Sequence, residues 1–184
     1  FCIALGNGMQ PLGRNKIFLT GFMGSGKSTV GPLVAARMEW KFIDTDTLIA
    51  QTAGKTIREI FNDGEDAFRR EEHGAVSQAV LENECVISLG GGALSDLVNR
   101  ERILKEGFLV YLSAAPETLI KRIENTDRPM LKTYKGEAFH KYVLGLIATR
   151  LPLYRMAHME MNTDNLTPQA IAREIVRRVN AWKS

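Results

Sequence analysis

One octapeptide constrains this chain more than any other feature. Residues 21–28 read Gly-Phe-Met-Gly-Ser-Gly-Lys-Ser and match the pattern G-x-x-x-x-G-K-[ST] at every fixed position. Glycines at these positions let the backbone curl with its N–H groups inward, which forms a nest for an anion that side chains would obstruct. A helix that follows such a loop adds its unpaired N–H groups and the positive end of its dipole. The octapeptide therefore predicts a phosphate-binding loop between a strand and a helix.

The segments on either side of the loop supply that setting. Lys16–Thr20 is short, apolar and partly β-branched, which predicts a buried strand, and Gly26–Met38 has the amphipathic pattern of a helix. A glycine-rich turn that contains Lys-Ser by chance is the alternative, and the strand–loop–helix order makes it the weaker interpretation. Lys27 is expected to reach the β- and γ-phosphates of a nucleotide, and Ser28 to ligate Mg²⁺. The candidate nucleotide-binding residues of the loop are Gly24, Ser25, Gly26, Lys27, Ser28 and Thr29.

Apolar runs and helical patterns alternate along the rest of the chain. Four further strands are predicted at Trp40–Ile43, Cys85–Leu89, Phe108–Leu112 and His158–Asn162. Further helices are predicted at Glu65–Leu81, Asp96–Lys105, Pro116–Ile123, Ala138–Ala157 and Pro168–Trp182. Strands separated by helices in this way form βαβ units and a mostly parallel sheet covered on both faces. The expected fold class is therefore α/β, a three-layer α/β/α P-loop fold with a five-stranded, mostly parallel sheet and a mobile lid.

The chain length of 184 residues fits one domain. We expect residues 16–184 to form that domain and residues 1–15 to be an N-terminal extension. The extension could be packed on the domain, derive from cloning or precede a natural start at Met9, and the sequence leaves these alternatives open. Residues 125–137 interrupt the apolar periodicity with Pro, Gly, Lys and Thr. They indicate either a mobile lid, placed at about residues 125–140, or an exposed loop.

Composition limits the partners. The 24 basic and 21 acidic residues leave a net charge of +3, too small and too dispersed to predict nucleic-acid binding. No apolar run approaches the roughly 20 residues needed to cross a bilayer, so no membrane association is expected. The two cysteines, Cys2 and Cys85, are too few for a disulfide framework, which favours a reducing, cytoplasmic compartment. We expect a cytoplasmic monomer that acts on small molecules.

Two carboxylates follow the second predicted strand in the segment Phe-Ile-Asp44-Thr-Asp46. On a strand, this spacing would put both side chains on one side. At the carboxyl edge of a parallel sheet they would face the ligand crevice beside the phosphate loop. One could hold Mg²⁺ through water while the other orients or deprotonates an attacking hydroxyl group. A turn or a helix cap is the alternative, because Asp and Thr favour both; the neighbouring phosphate loop favours the functional interpretation.

Helix periodicity separates two adjacent arginines. At about 100° per residue, Arg69 borders the face that carries Phe68, whereas Arg70 points well away from it. Arg69 can therefore reach a buried pocket, and Arg70 is expected to be a solvated charge. Taken alone, two arginines on a helix surface usually contribute to solubility.

Three consecutive glycines, Gly90–Gly92, end the third predicted strand. They cost backbone entropy and a plain turn rarely needs all three, which favours a close approach of the backbone to a ligand. Ser88 stands where an ordinary Mg²⁺-holding strand end has an acid. That substitution leaves Asp44 as the better acidic neighbour of a metal ion.

These motifs, in this order, resemble the shikimate kinase family. The resemblance rests on the phosphate loop, Asp-Thr-Asp, Phe-Arg-Arg-Glu and Ser-Leu-Gly-Gly-Gly, and continues with Arg128-Pro-Met-Leu and Arg150-Leu-Pro-Leu-Tyr154. It covers Lys16 to Trp182, and the only departure in the fifth motif is Met where the family has Leu. The resemblance implies an enzyme that transfers the γ-phosphoryl group of ATP to the 3-hydroxyl of shikimate with Mg²⁺, in aromatic amino-acid biosynthesis.

On the acceptor side, the resemblance implies that Asp46 contacts the shikimate hydroxyls and acts as the base. Arg69 and Arg150 would clamp the shikimate carboxylate, a task suited to planar guanidinium groups. Gly91 and Gly92 would line that pocket as backbone donors.

On the donor side, the resemblance implies a catalytic Lys27 and a lid arginine, Arg128, that reaches adenine and the phosphates. A lid that closes over the reaction excludes water. Ser28 and Asp44 would be the metal-side residues, the latter through water. Pro168 lies where the family has its adenine-side loop.

Two other functions are compatible with a phosphate loop. A gluconate kinase would also accept a substrate with hydroxyl groups and a carboxylate, but the arginine and glycine motifs favour shikimate. A P-loop binding module that has lost phosphoryl transfer would be expected to lack Lys27, Asp46 or an arginine of the clamp. All of these residues are present.

Overall fold

The computed structural model describes residues 15–124, 126, 131 and 134–183. Five strands form one sheet in the order β2-β3-β1-β4-β5, and every neighbouring pair is parallel. The strands are β1 (Lys16–Thr20), β2 (Lys41–Asp44), β3 (Cys85–Ser88), β4 (Phe108–Ser113) and β5 (Met159–Asn162). This sheet confirms the predicted fold class, and each strand lies within two residues of its predicted bounds.

Helices connect the strands and cover the sheet. They are α1 (Lys27–Met38), α2 (Thr45–Ala53), α3 (Ile57–Asn62), α4 (Glu65–Ala79), α5 (Leu97–Glu106), α6 (Pro116–Ile123), α7 (Gly136–Tyr154) and α8 (Pro168–Lys183), with a 3₁₀ turn at Ala93–Ser95. In the described part of the chain, no helix is both long and apolar enough to cross a membrane.

Two of these helices, α2 and α3, are absent from the sequence-based prediction. Helix α2 begins directly after β2, with no linker to separate the two patterns, because the Asp44 side chain caps it. Helix α3 is short and begins with a capping box, in which the Thr56 side chain accepts from the Glu59 amide and the Glu59 side chain accepts from the Thr56 amide. Local capping therefore sets both helices where apolar periodicity is too brief to reveal them.

The three inner strands of the sheet are buried, and alternate residues of the central strand β1 enter different cores. Ile17 and Leu19 pack with apolar residues of α1 and α8, whereas Phe18 packs with residues of α4, α5 and α7. All five residues of β1 are buried, which explains why this strand reads as a continuous apolar run.

The strand order determines where a ligand can bind. From β1 the chain passes through α1 to β2 on one side, and β4 lies on the other side of β1. The phosphate loop, Asp44 and Gly90 therefore follow the carboxyl ends of three adjacent strands. In open α/β sheets, ligands bind in the crevice outside this edge, at the point where the strand order reverses.

Candidate active site

A cavity of about 290 Å³ opens at this edge of the sheet. It brings together residues that lie far apart in the sequence, and most of the predicted site residues line it. The predicted residues in its wall are Gly24, Gly26, Lys27, Ser28, Thr29, Asp44, Asp46, Arg69, Gly91, Gly92 and Arg150. Apolar side chains of Met23, Ile57, Phe61 and Phe68 complete it. Ser25, also predicted, is only 1% exposed and is not among the described residues that line the cavity.

Backbone conformation explains the glycines of the phosphate loop. Gly24 and Gly26 have φ angles of 81° and 98°, in the left-handed region that other residues rarely adopt. The loop is also wedged between neighbours, because a Cβ on Gly24 would lie 2.9 Å from the Ile123 side chain. The Lys27 ammonium group donates to the carbonyls of Gly21 (2.8 Å) and Phe22 (3.2 Å), so it lies directly over the loop. Helix α1 begins at Lys27 and directs its first turn at the cavity.

Asp44 connects the phosphate loop to the next helix. One of its carboxylate oxygens accepts from the Ser28 hydroxyl at 3.0 Å, and the other accepts from the backbone amides of Asp46 (3.1 Å) and Thr47 (3.2 Å). Asp44 is therefore both a neighbour of the loop hydroxyl and the N-cap of α2. The helix-cap alternative considered for this segment is correct for Asp44, and it coexists with a place in the cavity wall.

The strand argument for the carboxylate pair is wrong. Strand β2 ends at Asp44, and Asp46 lies in the first turn of α2. Both carboxylates still line the cavity, but a strand–helix junction brings them there rather than strand alternation. The same junction buries Thr45 completely, and its hydroxyl accepts from the Gly90 amide at 2.9 Å.

Helix α4 confirms the predicted difference between the two arginines. Arg70 is exposed, whereas Arg69 lines the cavity. Arg69 is held between two acids of its own helix, with nitrogen–oxygen distances of 2.8 Å to Glu65 and 2.6 Å to Glu72. Its guanidinium group is therefore fixed in position before any ligand arrives.

Glu72 is a site residue that the sequence analysis missed. Its side chain is only 3% exposed, and it lines the cavity beside Arg69. Burial raises the pKa of Glu72, the Arg69 guanidinium opposes that change, and the Asp46 carboxylate adds to it. The spacing could have revealed it, because Glu72 lies four residues after Phe68 and so shares the buried face of the helix.

The glycine loop lies against both arginines of the predicted clamp. A Cβ on Gly92 would overlap the Arg69 guanidinium, and a Cβ on Gly91 would lie 3.3 Å from Arg150 Nη1. Any larger residue here would have to displace an arginine. The described contacts thus show a close approach of this backbone to two side chains that line the cavity. The predicted close approach to a ligand stays a prediction.

Helix α7 contributes two buried polar groups. Arg150 is 6% exposed, and Tyr154, one turn later, is 1% exposed. The Tyr154 hydroxyl donates to the Gly91 carbonyl at 2.6 Å. Burial raises the pKa of Tyr154 to about 12, an effect that the nearby Arg150 opposes. The sequence analysis quoted Tyr154 in a motif but assigned it no contact.

The remaining predicted residues lie elsewhere. Arg128 and six other residues of the predicted lid, 125, 127, 129, 130, 132 and 133, fall outside the described residues. Residues 136–140, the end of the predicted lid, form the start of α7. Pro168 is the first residue of α8 and, within the described chain, is not part of the cavity wall. The loop before it is nevertheless tied to the phosphate loop, because Arg122 donates to the Gly24 carbonyl (3.1 Å) and to the Thr163 hydroxyl (3.4 Å).

The fold and the cavity together define a class of protein. One cavity contains a phosphate-binding loop on one side and, on the other, two arginines with buried or half-buried carboxylates. This is the arrangement expected of a P-loop kinase whose acceptor is a small anionic molecule.

Comparisons with known proteins narrow the class. The family model described as shikimate kinase matches residues 23–180. A shikimate kinase of Chlorobium chlorochromatii is 38% identical over 173 residues, which cover 90% of this chain and 91% of that protein. The solved structure of shikimate kinase from Acinetobacter baumannii in complex with shikimate is similar, with a TM-score of 0.86 and 32% identity over 92% of this chain and 94% of that one. The chain belongs to the shikimate kinase family, which confirms the resemblance drawn from its motifs.

A more distant structure bears on the alternative acceptor. A gluconokinase from Sinorhizobium meliloti is similar with a TM-score of 0.57 and 15% identity, over 94% of this chain and 95% of that one. At this identity the likeness shows the shared fold alone.

Proposed function

We propose that this chain transfers the γ-phosphoryl group of ATP to the 3-hydroxyl group of shikimate, a step of aromatic amino-acid biosynthesis. The observation that carries the proposal is that one cavity contains both the phosphate loop and the pair of arginines beside Asp46. Shikimate is a small ring with hydroxyl groups and one carboxylate. Each of these groups has a chemically suited partner in the acceptor half of the cavity.

Arg69 and Arg150 would bind the shikimate carboxylate. Charge-assisted hydrogen bonds from guanidinium groups are short and strong, and the planar fork fixes the orientation of a carboxylate. The two arginines lie against adjacent glycines, Gly92 and Gly91, so their guanidinium groups converge on one region of the cavity. The Gly91 and Gly92 backbone would line this pocket.

Asp46 would receive the reacting hydroxyl group. It lies in the cavity wall at the start of α2, two residues after Asp44, which contacts the phosphate loop. A carboxylate in this position orients an alcohol and accepts its proton as the oxygen attacks phosphorus. Because the transition state of phosphoryl transfer is largely stabilised by position and charge, this orientation is a large part of the catalysis.

Lys27 and the loop amides would stabilise the phosphates of ATP. The ammonium group lies over the loop, and the first turn of α1 presents backbone N–H groups to the same region. Both supply positive charge where negative charge accumulates on the transferred group. Arg128 and Pro168 are proposed to complete the nucleotide side, the former from the lid.

The oxygen atoms of Ser28 and Asp44 fit a magnesium ion. Mg²⁺ prefers oxygen ligands, keeps several waters and is commonly held by one or two protein groups together with substrate phosphates. The described residues contain no cluster of three or more His, Cys, Asp or Glu side chains, so they offer no all-protein cage. We propose that Ser28 ligates the ion and that Asp44 holds it through water. The bound ion would neutralise charge on the phosphates.

Release of ADP, measured with shikimate, with gluconate and without acceptor, tests the proposed function. We expect turnover with shikimate and little without acceptor, and ³¹P NMR of the product should place the phosphate on the 3-hydroxyl group. Turnover with gluconate alone would contradict the proposed acceptor. If no ADP is released in any of the three mixtures, the chain would instead be a binding module that has lost phosphoryl transfer.

A further inference from the structure

Tyr154 joins helix α7 to the glycine loop across 63 residues of sequence. Its ring is 1% exposed and stacks on Tyr111 with a centroid distance of 5.2 Å. Arg150 lies close to its hydroxyl group, which donates a hydrogen bond to the Gly91 carbonyl at 2.6 Å. A phenol buried so completely could be replaced by phenylalanine for packing alone, so the hydroxyl group requires its own explanation.

The glycine loop needs contacts that fix its peptide planes. Consecutive glycines populate more backbone conformations than any other residues, so their peptide groups rotate easily unless something holds them. Backbone bonds hold two of its carbonyls, because the Ala93 amide donates to Gly90 and the Ser95 amide donates to Gly92. Two further contacts come from side chains. The Thr45 hydroxyl accepts from the Gly90 amide, and the Tyr154 hydroxyl donates to the Gly91 carbonyl. They come from α2 and α7, which are separate from the strand that leads into the loop.

Because the peptide bond between Gly91 and Gly92 is planar, the contact of Tyr154 with the Gly91 carbonyl also sets the direction of the Gly92 amide. The described residues contain no cis peptide bond, so the Gly91–Gly92 peptide is trans and its C=O and N–H groups point in opposite directions. Holding the Gly91 carbonyl against the buried phenol therefore directs the Gly92 N–H group to the other side. Both glycines line the cavity, where Gly92 lies against Arg69.

The donor in this contact is permanent. Burial raises the pKa of Tyr154 to about 12, so the phenol stays protonated near neutral pH. The hydroxyl group thus couples an arginine of the clamp to the backbone of the glycine loop.

We propose that Tyr154 is a positioning residue for the acceptor: it orients the Gly92 amide and the Arg150 guanidinium so that both face the carboxylate of the acceptor. This inference rests on the proposed function, because it assumes an acceptor bound between Arg69 and Arg150. Tyr154 itself contacts neither the reacting hydroxyl group nor the phosphates.

The test compares Tyr154→Phe with Tyr111→Phe. Each substitution removes one hydroxyl group from the same stacked pair and leaves both rings in place. For Tyr154→Phe, we expect KM and the directly titrated Kd for shikimate to rise about tenfold, because the Gly91 carbonyl loses its partner. KM for ATP should change less than about twofold. Tyr111→Phe should alter neither constant, since Tyr111 has no contact with the glycine loop among the described hydrogen bonds.

Other outcomes would overturn the inference. An unchanged shikimate Kd in Tyr154→Phe, or an equal rise of both KM values, would assign the hydroxyl group a structural role only. If Tyr154→Phe fails to fold, NMR of the ¹⁵N-labelled wild-type protein tests the inference instead. The signal of the Gly92 amide should shift, and the amide should gain hydrogen-exchange protection, when shikimate is added. A Gly92 amide that shikimate leaves unchanged contradicts the inference. Failure of the proposed function itself would look different, since the wild type would then show no shikimate-dependent release of ADP.

Discussion

The two halves of the cavity are built in opposite ways. The nucleotide half is one contiguous loop in which backbone groups, glycine conformations and a helix N-terminus make the site. The acceptor half is assembled from α2, α4, the glycine loop and α7, and it depends on side chains held by other side chains. The first arrangement suits chemistry that many kinases share, and the second suits the choice of one acceptor.

This difference predicts different kinetic phenotypes. A change in the phosphate loop should lower kcat with any acceptor, because charge on the transferred group is common to all of them. A change in the acceptor half should raise KM for one acceptor and spare the nucleotide. The predictions below are arranged by the size of the expected effect.

Lys27→Ala should have the largest effect. Removing the ammonium group over the loop should lower kcat about 10³-fold, because a preorganised charge in the transition state is lost. The direct Kd for shikimate should stay within about twofold of the wild type, which calorimetry can measure. Lys41→Ala is the matched control, because Lys41 lies on the edge strand β2, is exposed and forms an ion pair with Glu82. A loss of shikimate affinity in Lys27→Ala would show that the two halves are not separable.

Arg69→Ala should mainly affect the acceptor. We expect KM for shikimate to rise about 100-fold, because a charged hydrogen-bonding partner is lost and Glu72 is left buried without its counter-charge. Arg70→Ala should change KM and kcat by less than about twofold, because Arg70 is exposed on the other side of α4. Steady-state kinetics with shikimate as the varied substrate measures both. Equal losses at the two positions would contradict the assignment of Arg69 to the cavity.

Asp44 lies at the border between the two halves of the cavity. Its two contacts, with the Ser28 hydroxyl and with the first amides of α2, can be tested separately by two substitutions. Asn is as good an N-cap as Asp, so Asp44→Asn should keep α2 in place while it removes the charge beside Ser28. We expect the Mg²⁺ concentration for half-maximal activity to rise about tenfold in Asp44→Asn. Asp44→Ala should show the same rise and also lose about 1 kcal/mol of unfolding free energy. An unchanged Mg²⁺ requirement in both variants would remove Asp44 from the proposed metal site.

The same contrast explains how much of the site the sequence could reveal. The phosphate loop is local, so its residue types and its setting can be read from one segment. The place of Arg69 in the cavity wall could be predicted, because helix periodicity alone separates it from Arg70. Asp46 was placed on the wrong element, because Asp44 ends a strand and caps a helix at the same residue. Tyr154 carries no local signal, because its partner is Gly91, 63 residues away.

The smallest effect is expected for His158, which is distant from both halves of the cavity, so its substitution also serves as a control for the other variants. His158 precedes β5 at the amino edge of the sheet, opposite the cavity, and its Nδ1 accepts from the Leu109 amide at 2.9 Å. Its ring stacks on Phe108.

Burial lowers the pKa of His158 below its usual value of 6.5, so the unfolded chain binds this proton more readily than the folded one. Its contribution to stability is therefore present above pH 6.5 and is lost as the pH falls through the lower pKa of the folded state. His158→Asn retains an acceptor for the Leu109 amide without a titrating ring. Between pH 7 and pH 5, the wild type should lose slightly more unfolding free energy than this variant in denaturant titrations, while the two enzymes have equal KM for shikimate and for ATP at pH 7. Identical pH profiles of stability would show that the ring does not titrate with folding, and a changed KM would mean that this edge of the sheet is coupled to the cavity.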